Sequence, residues 1–186
     1  MRVLAISGSL RRDSYNTGLL RALAEEAPHN VEIELWDGLR EIPAYDADDD
    51  LTPGPAAVDA FRAAVADADA VVIATPEYNS SIPGALKNAL DWASRPLATN
   101  AFRNKPVAVL GSSTGAFGGV WAQAELRKVL GTMGARVTEV ELAVSHADEK
   151  FDAAGALVDT GVRRELRDAI AVVREAVDAR SAAVAA

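Results

Sequence analysis

The sequence predicts an α/β fold, a doubly wound parallel sheet of five strands with helices on both faces. Three observations predict it. Short apolar runs rich in β-branched residues alternate along the chain with longer segments whose apolar residues recur every three or four positions. Some of the short runs are apolar at nearly every position, as strands covered on both faces are. Each predicted strand is followed by a predicted helix, the arrangement of βαβ units.

The five predicted strands differ in exposure. In chain order they are residues 2–7, 31–36, 70–75, 106–111 and 136–142. The first, third and fourth are predicted to be central, whereas the second and fifth alternate polar and apolar residues as edge strands do. Right-handed crossovers leave few topologies, and five strands favour the flavodoxin-like order 2-1-3-4-5 over the six-stranded dinucleotide-binding fold.

Five amphipathic helices are predicted between and after these strands. Their apolar stripes begin near Leu19, Val58, Ala85, Ala122 and Val162. Pro83 suits the first turn of the third helix, where its missing N–H is not needed. Residues 41–57, which are acidic and rich in proline and glycine, and the polar residues 143–160 are predicted to be irregular.

The chain is predicted to be a single domain over residues 1–186. With 186 residues, of which 49% are hydrophobic, it is long enough to bury a core without disulfides. No internal repeat and no linker divides the sequence. Residues 181–186 are small and mostly apolar, and we expect them to form a frayed tail.

Composition excludes several classes of function. The chain has no cysteine, and its two histidines, His29 and His146, leave little room for a metal site. A net charge of −8 suits neither nucleic acid nor an anionic membrane. No signal-peptide pattern or membrane-spanning run is found, so a cytoplasmic location without membrane partners is expected. The acidic residues 46–50 are interpreted as solvated surface, and no metal site is predicted.

The sheet itself predicts where a ligand binds. In open parallel sheets, ligands bind beyond the carboxyl ends of the strands, where the strand order reverses. This rule selects the loops after the first, third and fourth strands, residues 8–17, 75–84 and 111–119. These strands are neighbours in the predicted order, so their loops are expected to form one continuous rim.

The first loop suits an anion. It precedes a helix, whose N-terminus offers free N–H groups and a positive partial charge. Ser9, Ser14, Asn16 and Thr17 add side-chain donors, and Arg11 or Arg12 adds a guanidinium that can hold a phosphate through two bonds. Helix capping is the alternative for Ser14 or Asn16. Because the Walker, dinucleotide-binding and hydrolase glycine motifs are absent, a mononucleotide is expected.

The other two loops suit a flat heterocycle. Glu77, Tyr78 and Asn79 offer a planar side chain and backbone amides at the rim. The loop at 111–119 has four glycines, which allow close approach of the backbone to a ligand, and three hydroxyl side chains. A local turn that packs Tyr78 and a flexible glycine-rich connection are the alternative interpretations of these two loops.

Three stretches of the chain resemble the NADPH-dependent FMN reductase family, which includes bacterial quinone and chromate reductases. They are GSLRRDSYN at 8–16, TPEYNSSIPGALKNALDW at 75–92 and SSTGAFGG at 112–119. PEYN followed by PGxLKNAxDW is a long and specific signature. The resemblance covers most of the chain, from Arg2 to about Ala179.

The resemblance implies a cofactor-binding role for each loop. The FMN phosphate and ribityl chain would contact Ser9, Arg11, Ser14 and Asn16, with Leu10 and Tyr15 beside them. The isoalloxazine ring would lie against Pro76, Glu77, Tyr78 and Asn79. The other side of the pocket would be formed by Ser112, Ser113, Thr114 and Gly115. Thr17 stands where relatives often carry a smaller residue, so no direct role is assigned to it.

The implied activity is hydride transfer from NADPH or NADH to flavin N5, and then to a quinone or similar acceptor such as a flavin, chromate, an azo or a nitro compound. This chemistry needs no side-chain nucleophile, and no catalytic residue is predicted. Amides of Tyr78, Asn79 or the 112–115 segment are expected to stabilise the charge of reduced flavin. The Glu77 carboxylate is expected to face solvent or a cation. A homodimer or homotetramer is expected.

Other functions remain open on the sequence alone. A flavodoxin-type FMN electron carrier would bind the same cofactor without nicotinamide turnover, and would shield it between aromatic rings such as Tyr78 with Phe117 or Trp121. A non-enzymatic module would use the loops as a recognition surface. A hydrolase based on Ser9 or Ser112 lacks a histidine placed to act as base. The choice between NADPH and NADH and the natural acceptor are not decided.

Overall fold

In a computed structural model, which describes residues 1–185, the sheet has the flavodoxin-like order that the sequence predicts. The strands are β1 (Arg2–Ser7), β2 (Glu32–Trp36), β3 (Ala70–Thr75), β4 (Pro106–Ser112), β5 (Arg136–Val137) and β6 (Leu142–Val144). All pairs are parallel, in the order β2-β1-β3-β4, and both β5 and β6 pair with the outer edge of β4. The predicted edge strands therefore lie at the edges.

The helices cover both faces of this sheet. They are α1 (Tyr15–Glu25), α2 (Ala56–Asp67), α3 (Gly84–Ala93), α4 (Val120–Thr132), α5 (Ala147–Lys150) and α6 (Thr160–Ala185), with 3₁₀ turns at Gly38–Glu41 and Ala47–Asp49. The short helix α5 lies in the 143–160 segment, which was expected to be irregular. Within the predicted tail at 181–186, residues 181–185 form the end of α6, and Ala186 lies outside the described residues. Among residues 1–185, no helix has both the length and the apolar character needed to cross a membrane.

Alternation along the strands builds two cores. On β1, Val3 and Ala5 pack with α1 and α6, whereas Leu4 and Ile6 pack with α2, α3 and α4. The period of two that places successive side chains on opposite faces explains this division. Because both faces are covered, β3 is buried along its whole length. Each fully buried aliphatic side chain of this kind contributes about 1.5–3 kcal/mol to folding.

The predicted fifth strand, 136–142, is wrong as a continuous element, because a side chain interrupts it. β5 ends at Val137, and β6 begins only at Leu142. Between them, the guanidinium of Arg127 on α4 donates to the carbonyl oxygens of Thr138 (2.8 Å) and Val140, and to that of Val109 on β4 (3.4 Å). Arg127 thus takes the place of ladder donors from the fifth strand, which the local sequence pattern does not reveal.

A cluster of charges joins α1 to α6. The Glu26 carboxylate accepts hydrogen bonds from Arg163 (2.8 Å) and Arg167, and Arg163 also pairs with Glu25 (3.0 Å). The hydrogen bond from Arg163, followed by that from Arg167, holds the pKa of Glu26 below its ordinary value. A carboxyl group whose pKa is lowered by folding stabilises the protein where it is ionised.

We therefore expect Glu26→Gln to flatten the acid limb of the stability profile. The contribution of Glu26 is present above its ordinary pKa of 4.5 and is lost as pH falls through the lowered value of the folded state. Thermal unfolding followed between about pH 3 and pH 7 measures this effect. Glu25→Gln, at a more exposed carboxylate of the same cluster, is the control. An unchanged acid limb in Glu26→Gln would contradict the assignment.

Candidate functional site

The three loops after β1, β3 and β4 meet in one cleft at the carboxyl edge of the sheet. The cleft has a volume of about 200 Å³. Its lining residues are Ser9, Arg11, Ser14, Tyr15, Asn16, Pro76, Glu77, Tyr78, Ser112, Ser113 and Thr114. All belong to the predicted binding set, so the structure brings most of that set together. The remaining members, Leu10, Asn79 and Gly115, lie outside the lining, and Leu10 instead lines a neighbouring cleft beside β2.

Asn16 joins the first loop to the third. Its Nδ2 donates to the carbonyl oxygen of Ser112 (3.0 Å), and its Oδ1 accepts from the amide of Ser112 (2.9 Å). Both residues are almost completely buried. This reciprocal pair engages the oxygen and one of the two N–H donors of the Asn16 side chain, so Asn16 positions the first loop against the third. Neither the ligand role nor the capping role considered for Asn16 anticipates this contact.

The first loop is stabilised by hydrogen bonds to side-chain hydroxyls and presents free amides at the start of α1. Thr17 Oγ1 donates to Ser7 Oγ (2.9 Å), which also accepts from the Ser9 amide (3.3 Å). Ser14 caps α1 by accepting from the Thr17 amide (3.4 Å), as the alternative interpretation of Ser14 proposed. Within the described part of the chain, the amides of Tyr15 and Asn16 in the first turn donate to no protein acceptor. These amides and the positive end of α1 favour an anion.

Ser112 carries a buried hydroxyl without a partner. Ser112 is 2% exposed, and among residues 1–185 its Oγ is the buried side-chain atom that has no hydrogen-bond partner. A buried hydroxyl that makes no hydrogen bond is costly, so such groups in native proteins call for an explanation. This atom belongs to a residue that lines the cleft, where a bound ligand or an ordered water would supply the missing partner.

The second loop forms a tight turn at the rim. Tyr78 and Ser81 exchange backbone hydrogen bonds (2.9 and 3.1 Å), and Asn79 and Ser80 between them have φ values of 54° and 60°. Two successive positive φ values in a two-residue hairpin define a type I′ turn. The Tyr78 amide is therefore engaged and is not the free donor that the sequence suggested. In the described chain, the amides of Asn79 and Thr114 retain that capacity.

Glu77 has a role that sequence reasoning missed. Its Oε2 accepts from the amides of Trp121 (3.1 Å) and Ala122 (3.2 Å), at the N-terminus of α4. Gly119, the N-cap residue of α4, makes no capping bond. A carboxylate at this position interacts favourably with the positive end of the helix dipole. The expectation that the Glu77 carboxylate faces solvent or a cation is therefore wrong, because this carboxylate caps α4, whose first residue, Val120, lies 43 positions later in the chain.

The third loop is held in place by backbone hydrogen bonds to the segment that contains the end of β6 and the start of α5. The Ser113 amide donates to Val144 (2.9 Å), and the amides of Ala147 and His146 donate to Ser113 (3.1 Å) and Gly115 (3.3 Å). Gly118 has φ 59°, and a Cβ there would lie 2.5 Å from the Ala143 carbonyl carbon. The glycine therefore permits close packing of the loop on β6 rather than on a ligand. His146 itself is exposed.

Two aromatic rings lie on the same loop and the start of α4. Phe117 and Trp121 are 62% and 50% exposed, and their rings pack edge to face with centroids 5.0 Å apart. Tyr78 on the second loop is also exposed. The rim of the cleft therefore carries exposed apolar surface, whose contact with water is unfavourable and which is typical of interaction sites.

Comparison with known proteins relates this chain to flavin enzymes. Residues 1–149 match the family described as NADPH-dependent FMN reductase. The chain is 40% identical to a 2-hydroxy-1,4-benzoquinone reductase of a Burkholderia species, over 90% of this chain and 91% of that protein. It is 44% identical to an NAD(P)H-dependent FMN reductase of Pseudomonas aeruginosa, over 88% of each chain. Among solved structures, the flavoenzyme NAD(P)H:(acceptor) oxidoreductase FerB of Paracoccus denitrificans superposes with a TM-score of 0.83 and 34% identity, covering 97% of both chains.

Proposed function

Since the chain belongs to the NADPH-dependent FMN reductase family, it is an FMN-dependent NAD(P)H oxidoreductase, and we propose that the three loops hold its FMN. The observation that carries this proposal is the unpaired Ser112 hydroxyl, which belongs to the lining of a cleft that also contains the free amides at the N-terminus of α1. These donors fit a phosphorylated flavin. The N-terminus of α1 stabilises a phosphate, and the Ser112 hydroxyl can hydrogen-bond to a polar atom of the flavin.

Each loop then has a distinct task. The amides of Tyr15 and Asn16 and the guanidinium of Arg11 bind the phosphate. Ser112 Oγ donates to a ring or ribityl oxygen from the buried floor. Tyr78 borders the open side of the cleft, where a nicotinamide or an acceptor approaches.

Flavin, when bound, accepts a hydride from NADPH or NADH and returns two electrons to an acceptor. The protein binds the cofactor, fixes its orientation through the Asn16–Ser112 pair, and offers the amides of Asn79 and Thr114 to developing negative charge. No catalytic side chain is assigned. A flavodoxin-type carrier is not favoured, because the similar proteins are named as reductases of quinones and FMN.

The acceptor is a small molecule, and we propose a quinone, which the Burkholderia relative's name also specifies. Flavins, chromate, azo and nitro compounds are further candidates, because an open flavin face tolerates varied acceptors. A cytoplasmic location is proposed because the reduced nicotinamide donor is an intracellular metabolite. A homodimer or homotetramer is proposed because Phe117 and Trp121 leave apolar surface at the rim. Light scattering of the purified protein tests the oligomer.

A visible spectrum followed by anaerobic titration tests the function. We expect purified protein supplied with FMN to retain one flavin per chain, to bleach with one equivalent of NADPH or NADH, and to regain its colour with a quinone. A protein that retains FMN but is reduced by neither nucleotide would contradict the enzyme assignment and favour the carrier. A protein that retains no flavin would contradict both.

Ser112→Ala separates ligand binding from folding. Removal of an unpaired buried hydroxyl should leave the stability of the FMN-free protein unchanged or slightly higher. The same change should raise the FMN dissociation constant up to about tenfold, the value of one hydrogen bond. Flavin fluorescence titration and thermal unfolding measure the two effects.

Ser94→Ala, at the end of α3 and outside the lining of the cleft, serves as the control for this substitution. It should leave FMN affinity unchanged. Equal FMN affinity in Ser112→Ala and the unsubstituted protein would show that the hydroxyl does not contact the cofactor.

A further inference from the structure

A second, larger cleft lies beside the first, between loop 8–17 and the end of β2. It has a volume of about 360 Å³, and the residues that bear on its chemistry are Ser9, Arg11, Arg21, Trp36, Asp37 and Arg40. Ser9 and Arg11 also line the flavin cleft, so the two clefts are adjacent and share a wall. The proposed function assigns nothing to this second cleft.

The second cleft concentrates positive charge in an acidic protein. Arg11, Arg21 and Arg40 line it, although the chain carries a net charge of −8. Among the residues described, none of the three forms an ion pair. Three guanidinium groups around one cavity repel one another unless an anion lies between them.

Two of these arginines are oriented by neutral groups that leave their charge intact. Arg40 Nη2 donates to the Leu10 carbonyl (2.8 Å), and Arg11 Nη2 donates to the Asp13 carbonyl (3.4 Å). A guanidinium has five N–H donors, so each retains several for a ligand. Arg21 lies on the exposed side of α1 and, within the described chain, donates to no protein acceptor. The site is therefore both charged and partly preorganised.

The place of this cleft in the sheet indicates which anion it suits. In doubly wound sheets that bind dinucleotides, the end of the second strand meets the adenosine ribose, where an acidic residue contacts a 2′-hydroxyl or an arginine accommodates a 2′-phosphate. Here Asp37 follows β2 directly, and Arg40 comes three residues later. Trp36 adds a flat apolar wall, held by the Phe61 ring with centroids 4.5 Å apart.

We propose that the second cleft binds the 2′-phosphoadenosine end of NADPH, with Arg21 and Arg40 as the residues that distinguish NADPH from NADH. This inference rests on the proposed function, because it assigns a place to the donor of that reaction. The nicotinamide then reaches the flavin cleft across the wall formed by Ser9 and Arg11. Arg21 and Arg40 against the one carboxylate of Asp37 favour the doubly charged 2′-phosphate over a neutral 2′-hydroxyl.

Arg21→Ala is the cleanest test, because Arg21 supports no other part of the protein. In the FMN-loaded enzyme we expect kcat/KM for NADPH to fall about tenfold, kcat/KM for NADH to stay unchanged and FMN content to stay unchanged. Calorimetry with 2′,5′-ADP and 5′-AMP provides a readout without turnover. The unsubstituted protein should bind 2′,5′-ADP more tightly than 5′-AMP, and Arg21→Ala should lose this preference. Arg164→Ala, at an exposed arginine of α6, is the control.

The outcomes separate this inference from the proposed function. Equal loss of NADPH and NADH turnover in Arg21→Ala, or equal binding of 2′,5′-ADP and 5′-AMP by the unsubstituted protein, would overturn the inference and leave the oxidoreductase intact. If the unsubstituted enzyme oxidised neither nucleotide, the proposed function would fail, while an Arg21-dependent preference for 2′,5′-ADP would still support the cleft. Retention of FAD instead of FMN, lost in Arg21→Ala, would assign the cleft to a flavin adenylate and overturn the inference.

Discussion

Asn16→Ala should cost the protein both stability and flavin. The substitution leaves the amide and the carbonyl of buried Ser112 without partners, at about 1–3 kcal/mol for each group. It also disconnects the first loop from the third, so that binding must order both. We expect a lowered midpoint of thermal unfolding and an FMN dissociation constant raised more than tenfold, measured by unfolding and by fluorescence titration.

Asn88→Ala provides a matched control for this prediction. Asn88 likewise bonds the backbone through both ends of its amide, donating to the Pro43 carbonyl (2.7 Å) and accepting from the Tyr45 amide (2.8 Å). It lies outside the lining of the flavin cleft. The control should lose stability and keep its FMN affinity. If Asn16→Ala weakened FMN binding no more than Asn88→Ala does, the pair would not be what organises the site.

Arg127→Met should destabilise the outer edge of the sheet. The methionine keeps an apolar stem but removes the donors to the carbonyls of Thr138, Val109 and Val140. The guanidinium is half-buried, so these acceptors lose a partner that water replaces poorly. We expect a loss of about 3 kcal/mol or more in urea unfolding, with faster amide hydrogen exchange in residues 138–142.

The free energy of unfolding of Arg127→Lys should lie between those of Arg127→Met and the unsubstituted protein, because a lysine offers a compact charge instead of a fork of donors. Arg164→Met, at an exposed arginine on α6, should leave stability nearly unchanged. A midpoint for Arg127→Met equal to that of the unsubstituted protein would show that the carbonyls at 138–140 are satisfied in another way.

What the sequence predicts well follows from local periodicity. The bounds of β1 and β3 agree with the prediction, and β4 extends it by one residue to Ser112. These strands are buried on both faces, so their apolar runs end where the chain leaves the sheet. The rule that places ligands at the carboxyl edge then gathers Ser9, Tyr78 and Ser112 from three distant loops into one cleft.

What the sequence does not predict depends on contacts between distant segments. Glu77 caps a helix that begins 43 positions later, at Val120, and Arg127 reaches across to a neighbouring strand, yet neither residue belongs to a local pattern. Asn16 carries the sequence signal of a cap or a ligand, and only its contact with Ser112, 96 residues away, identifies its role. At these positions the sequence shows which donors and acceptors a side chain offers. It does not show which partner the side chain binds, because that partner is brought close only by the fold.

The arrangement of the three loops is tested most directly by a crystal structure of the protein with FMN bound. We expect the phosphate beside the amides of Tyr15 and Asn16 at the start of α1, a flavin oxygen within hydrogen-bond distance of Ser112 Oγ, and the ring beside Tyr78. Flavin density away from the carboxyl ends of β1, β3 and β4, with this cleft filled only by solvent, would contradict the account.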